Sequence, residues 1–129
     1  MLHPRQFGVN EAWILFCVNE EPIHTEVDGD FHCMVLMDAA SCFILGMEMT
    51  SVLEAEMPAA QVRQLLEVGR AQGQQLPRTL FVVKGSGNRE TAREAVGMGI
   101  EVVAVEEGEL LVFTSSAREL FSEHMREDR

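Results

Sequence analysis

Phe31–Ser51 reads FHCMVLMDAASCFILGMEMTS, and how this stretch folds decides the architecture of the whole chain. Two apolar runs flank Ala39-Ala40-Ser41, a connection too short for a helix. Phe31–Asp38 and Cys42–Thr50 are therefore expected to pair as antiparallel strands. Asp38 ends the first strand. Gly46 in the returning strand predicts a bulge or the close approach of another backbone. The polar segment His24–Asp30 leads into the hairpin through Asp28-Gly29, a turn dipeptide suited to positive φ.

Upstream, residues 1–11 read as an irregular lead-in. Ala12–Val18, AWILFCV, is a continuous apolar run of the kind found in strands buried on both faces. Asn19–Pro22 breaks it, because proline lacks the N–H a central strand needs. The three strands form an antiparallel meander. Downstream, Pro58 suits the first position of a helix. Val62, Leu65, Leu66 and Gly69 follow at the spacing of one buried helical face, and Gly73 is placed to stop that helix in a left-handed conformation.

Thr79–Val83 is the next strand. Lys84–Asn88 then turns into a helix from Arg89 to about Met98, with Asn88 as N-cap. Ala92, Ala95, Val96 and Gly99 give that helix a small-residue face. Ile100–Val105 completes a strand–helix–strand crossover, expected to be right-handed and parallel. Glu106–Glu109 reads as a turn and Leu110–Thr114 as a short extension or edge strand. Ser116-x-x-Glu119 is a capping box that opens a last helix with Ala117, Leu120, Phe121 and Met125 on one face. The tail Arg126–Arg129 is expected to fray. The sum is a single α/β domain over residues 1–129, with a mixed sheet of about five strands (an antiparallel meander, then βαβ) and about three helices.

Composition narrows the functional classes. The chain carries 21 acidic against 10 basic residues, a formal net charge of −11, and only one lysine, Lys84. A nucleic-acid binder needs Lys and Arg to replace phosphate counterions, and an anionic membrane surface attracts the same residues, so both partners are disfavoured. Cys17, Cys33 and Cys42 are odd in number, lack CxxC spacing and fall in apparent strands, as buried thiols in a reducing compartment do. There is no secretory h-region near the N-terminus and no apolar run of membrane-spanning length, which places the protein in a cytoplasm. Eight methionines, among them Met34, Met37, Met47 and Met49 in the strands, read as flexible core filling or as an adaptable binding face.

The element order, with an aspartate ending an early strand, resembles the ribonuclease-H-like fold of retroviral-type integrase cores and many transposases. MVLMDAASCFILGMEM is similar to the opening of that core, and PRTLFVVKGSGNRETAREAVGMGIEVV to its later strand, Gly-rich turn, helix and strand. The resemblance covers roughly Phe31 to Val103, plus the last helix by order. Degenerate versions of the core in small bacterial proteins share the pattern. The resemblance implies two or three carboxylates converging on two divalent cations that activate a water or hydroxyl at a phosphodiester. Asp38 matches the first carboxylate by position. The second should follow the fourth strand at once, where this chain has Lys84, a cation that repels Mg²⁺. Glu48, Glu54, Glu56, Glu119 and Glu123 are the replacements on hand. The bland reading of Asp38 is a turn-forming or helix-capping carboxylate.

Lys84-Gly85-Ser86-Gly87-Asn88-Arg89 has anion-binding character, because glycines before a helix N-terminus let N–H groups face a phosphate or carboxylate. It is neither a Walker A nor a dinucleotide fingerprint, and the same residues serve as an ordinary strand-to-helix turn. His32 and Cys33 point to opposite faces and cannot share a metal, while His24 and His32 could meet across a hairpin. His3, His24, His32 and His124 otherwise read as surface or half-buried side chains, so no metal site is expected. No nucleophile elbow accompanies Ser41 or Cys42.

Three functions follow. The first is a non-catalytic cytoplasmic binding or interaction module on a degenerate ribonuclease-H-like core. The second is a Mg²⁺-dependent nuclease or phosphotransfer enzyme using Asp38. The third is a small-anion or nucleotide-phosphate binder at Lys84–Arg89. No cofactor is expected beyond Mg²⁺ under the second. Three helices are few for covering two sheet faces, which points to a homodimer or another protein partner.

Overall fold

The computed structural model describes residues 1–127 except Glu20, Asp28 and Ser86, and leaves out the side chains of residues 124–127. The Asp28 half of the expected turn, Ser86 of the glycine-rich segment, the side chains of His124 and Met125, and the end of the expected frayed tail lie outside the described residues. The elements are β1 (Ala12–Cys17), β2 (Ile23–Thr25), β3 (Gly29–Asp38), β4 (Ile44–Ser51), α1 (Ala59–Gly73), β5 (Thr79–Val83), α2 (Arg89–Gly97), β6 (Glu101–Val105) and α3 (Leu111–Glu127). Short 3₁₀ turns occupy Pro4–Gln6 and Glu107–Leu110.

All six strands join one mixed sheet. β3 runs antiparallel to β1 on one side and to β4 on the other. β5 is parallel to both β1 and β6. β1 pairs with Met34–Asp38 and β2 with Gly29–Phe31, so β2 continues the line of β1 beyond the Asn19–Pro22 break. β2 was not expected from sequence, because two of its three residues, His24 and Thr25, are polar and exposed. His24 stands opposite Asp30, with Nδ1 2.9 Å from the carboxylate, so the expected meeting of His24 with His32 does not occur.

β1 alternates between two cores. Trp13 and Leu15 join Leu36, Leu45, Leu80 and Val82 under α1 and α2, where Val62, Leu65, Leu66 and Ala95 are buried. Ile14 and Phe16 join Cys33, Val35 and Met37 on the opposite face, under Leu110 and Phe113 beside α3. The α1 face is the one expected, and Gly69 sets its distance from the sheet. A Cβ there would lie 2.9 Å from the Trp13 ring and 2.8 Å from Leu36. Gly46 has a similar role at a bulge. Leu36 pairs with Gly46 and Met37 with Ile44, leaving Leu45 as the extra residue. A Cβ on Gly46 would meet Leu65 at 3.0 Å, so the close neighbour is a helix side chain and not another backbone.

Helix ends differ from expectation in instructive ways. Pro58 is the N-cap of α1, one position earlier than anticipated. The left-handed residue after α1 is Gln74 (φ 58°), while Gly73 is small because a Cβ would sit 2.7 Å from the Asn10 carboxamide. That carboxamide accepts from Trp13 Nε1 at 3.3 Å and donates to the Gly73 carbonyl at 3.4 Å, tying the lead-in to α1. α2 buries Thr91 and Ala95 but leaves Val96 exposed, and Gly99 (φ 83°) ends its last turn as expected.

The largest correction concerns Leu110–Thr114, which is not an extension strand. A 3₁₀ turn runs into α3 at Leu111, and Ser116 lies inside the helix instead of opening it. Leu110, Phe113 and Thr114 are buried with Ala117 and Phe121 beside them, a helical spacing that outweighs the β-branched local composition, while Leu120 faces solvent. Among the described residues no helix is long and apolar enough to cross a membrane.

The Trp13–Gly69 contact yields a direct test. Gly69→Ala should lower stability by about 1–3 kcal/mol through overpacking, read as a lower urea midpoint at unchanged slope. A midpoint at or above wild type would contradict the close packing described.

Candidate functional site

Because β1 and β5 are parallel neighbours, one end of the sheet gathers both of their carboxyl termini, the place where open α/β sheets receive ligands. Asp38 is at the other end. It pairs with Trp13, which is level with Leu80, whereas Lys84 follows the last residue of β5, roughly 13 Å further along the strand direction. Asp38 and Lys84 therefore do not belong to one site, and the expected first and second positions of a nuclease centre come apart.

Asp38 is 2% exposed and its oxygens are engaged. Oδ1 accepts from the Asn10 N–H at 2.8 Å, and Oδ2 accepts from the Ser41 N–H at 3.0 Å and the Ser41 hydroxyl at 2.6 Å. This is a carboxylate organising a turn. Among the described residues no three His, Cys, Asp or Glu side chains converge as metal ligands, so the donor set does not fit the two-cation centre that the resemblance implied.

The carboxyl ends of β1 and β5 instead open on a cavity of about 270 Å³. Cys17 closes β1, His32 and Met34 come from β3, and Thr50 stands opposite His32 on β4. The loop before α1 supplies Glu54, Glu56 and Met57, and the start of α2 supplies Asn88 and Thr91. Strand alternation aims Cys17 and His32 at the α1–α2 face while Cys33 points into the opposite core. The Cys17 thiol lies 3.3 Å from the Asn19 carbonyl and from its side-chain oxygen, and 3.8 Å from His32 Nδ1. Burial pushes the Cys17 thiol up, against smaller opposing effects from the Asn19 backbone and Arg118. Burial raises Cys33 as well, with the neighbouring Cys17 adding to it. Cys42 departs from the expected buried thiol. It is exposed, at a turn with φ 60°, and its pKa is raised by partial burial and then by Asp38.

The glycine-rich turn also resolves. Gly85 and Gly87 take positive φ (79° and 69°), and the first N–H groups of α2 face a carboxylate, but it is the chain's own. Glu56 accepts from the Arg89 N–H at 3.2 Å and the Glu90 N–H at 2.7 Å. Asn88 occupies the N-cap without capping, because its side-chain amide donates to the Val83 carbonyl at 2.7 Å. Lys84 Nζ is 3.7 Å from Glu106, and Arg89 is exposed. Glu56, named from sequence only as a candidate replacement carboxylate, has a role at the helix start that was not legible because it reaches α2 from 33 residues upstream. Behind the cavity, Arg118 donates to the Cys17 carbonyl at 3.2 Å and pairs with Glu107 at 2.9 Å, holding α3 against the end of β1.

This arrangement has structural counterparts. A chain of the simian T-cell lymphotropic virus intasome in complex with PP2A regulatory subunit B56 gamma superposes with TM-score 0.54 at 12% identity, over 92% of this chain and 43% of that one. The HTLV-2 integrase catalytic core domain in complex with magnesium is similar in its trimeric form, with TM-score 0.53 at 8% identity over 92% of this chain and 73% of that one. Its dimeric form gives TM-score 0.51 at 11% identity over 78% and 63%. The chain thus spans less than two thirds of the intasome chain and of the dimeric-form core domain. No family model and no curated protein matches the sequence. The fold is ribonuclease-H-like, as the resemblance implied.

Two outcomes follow from this chemistry. Glu56→Ala should remove the cap of α2 and cost about 0.5–2 kcal/mol in thermal or urea unfolding. An unchanged midpoint would mean that the two N–H contacts carry no weight. The raised thiols favour the protonated form in the folded chain, so their contribution is complete below the unfolded thiol pKa. It declines as pH rises through that value toward the raised folded one. Cys17→Ser should flatten the alkaline loss of stability, and a curve parallel to wild type above pH 9 would refute the linkage.

Proposed function

We propose that this chain is a non-catalytic binding module on a ribonuclease-H-like core, working in the cytoplasm. The observation that carries the reading is the content of the cavity at the ends of β1 and β5. It presents a protonated thiol, an imidazole and a carboxylate already committed to a helix end, and Asp38 lies at the far end of the sheet. The free thiols Cys17, Cys33 and Cys42 are consistent with a reducing compartment. The small-anion alternative is less favoured, since Glu56 holds the N–H groups that would receive a phosphate. Incubation with Mg²⁺ or Mn²⁺ and single- or double-stranded nucleic acid should give no cleavage. The same ions at millimolar concentration should leave the melting temperature unchanged, since a cation bound only to the folded state must raise it. Cation-dependent cleavage that is lost in Asp38→Asn would sink the reading in favour of the enzyme.

A second observation supports self-association. Phe43, just before the outer strand β4, and Ile44, Met47 and Met49 on it are exposed, and the pairing of Met47 with Val35 and Met49 with Cys33 sets the two methionines on the α3 face. The strip has no charged side chain, so a second copy of this acidic chain could meet it about a two-fold axis without opposing like charges. Sheet extension is not the means. The Val52 N–H to Asp30 carbonyl bond sets a ladder phase that turns the backbone groups of Met49 and Ser51 outward. The Gln61 amide and the Glu54 N–H already occupy those two carbonyls, at 2.9 and 3.1 Å. Sedimentation at micromolar concentration should show a dimer that Met47→Glu with Met49→Glu returns to monomer. A monomeric wild type would end the proposal.

A further inference from the structure

The cavity at the ends of β1 and β5 has a chemical bias that its lining residues determine. Several of its hydrogen-bond donors are spent inside the chain. The Thr50 hydroxyl lies 2.9 Å from Gln61 Oε1, the Asn88 amide nitrogen donates to Val83, and the Cys17 thiol faces Asn19. Acceptors remain. Asn88 keeps its side-chain oxygen, Thr50 its lone pairs, and each Glu56 oxygen has taken only one backbone N–H. Glu54 at the mouth is exposed. Among the described residues no Lys or Arg lines the space, and Leu15, Met34 and Met57 give it an apolar wall.

We propose that this cavity binds a primary alkylammonium group, either a free short-chain amine or the end of a lysine side chain. An ammonium offers three donors and no acceptor, which complements the open oxygens of Glu54, Glu56 and Asn88. Its charge meets Glu54 and Glu56, and its methylenes lie along Leu15 and the methionines. A bare metal ion is the poorer match, because three ligating side chains do not converge among the described residues. A volume of about 270 Å³ suits a chain of a few carbons and is small for a nucleotide. The inference names the ligand class of the binding module proposed above and rests on that reading.

The test uses the whole chain with n-butylammonium, N-acetyl-lysine amide and inorganic phosphate as probes. Butylammonium should raise the melting temperature in a saturable way and n-butanol should not. Response to lysine amide as well as butylammonium assigns the source to a protein side chain, and response to butylammonium alone assigns it to a free amine. Glu54→Gln, at an exposed position where folding is not at risk, should weaken binding about two- to fivefold. In a Cys42→Ser background, the amine should slow alkylation of Cys17, which fixes the ligand in this cavity. Stabilisation by phosphate instead of amine, an unchanged Cys17 rate, or equal binding by Glu54→Gln would each overturn the proposal. Cation-dependent nucleic-acid cleavage with amine binding intact would overturn only the non-catalytic reading.

Discussion

The pairing of β1 with an antiparallel strand on one edge and a parallel strand on the other is the constraint on which the rest of the molecule depends. A strand in that position gives its backbone N–H and C=O groups to neighbours and both side-chain faces to cores. Its residues must therefore be apolar throughout, and AWILFC is. Trp13 and Leu15 set the depth at which α1 can approach, and Gly69 is the response on the helix side. Ile14 and Phe16 set the layer that α3 completes. The strand also joins the two halves of the sheet, since without β1 the meander and the βαβ unit share no hydrogen-bond ladder among the described residues.

The same pairing explains which parts of the site were legible in the sequence. Runs of apolar residues marked β1, β3, β4, β5 and β6 to within about two residues, although burial on both faces is seen in β1 and the end of β3 and not in β4 or β6. The location of Asp38 was misjudged for a geometric reason. A strand antiparallel to β1 ends beside the start of β1, so an aspartate closing β3 lies opposite the end where β5 finishes. The residue that does finish beside Lys84 belongs to β1, and it is Cys17. β2 escaped because a single half-buried Ile23 followed by exposed His24 and Thr25 carries no period. The first turns of α3 escaped because Leu110–Thr114 is β-prone locally, and only Ala117 and Phe121 further along show the helical repeat. The role of Glu56 at α2 escaped because capping from 33 residues away leaves no local trace.

Charge organises the surface by local pairing. Arg63 reaches across from α1 to Glu94 on α2 at 3.1 Å, and this contact holds the Glu94 carboxyl below its usual range. Arg70 pairs with Glu67 and Arg93 with Glu90 one helical turn away, while Lys84 and Arg118 pair with Glu106 and Glu107. Exposed pairs of this kind contribute little to stability. Their larger effect is to consume basic side chains that are scarce to begin with. Among the described residues these pairs place Arg63, Arg70, Lys84, Arg93 and Arg118 beside glutamates in a chain whose net charge is −11.

That distribution sets the character of the cavity at the sheet end. The positive end of α2 would ordinarily bias such a cavity toward anions. Glu56 answers it from within the chain, and the donors of Thr50 and Asn88 are turned toward Gln61 and Val83. Each of these bonds has a structural purpose, joining the loop before α1 to α2, β4 to α1, and β5 to α2. Together they leave the oxygens of Glu56 and Asn88 open to the cavity. The helix N-terminus alone would invite an anion there, whereas these oxygens and Glu54 at the mouth favour the cation proposed above.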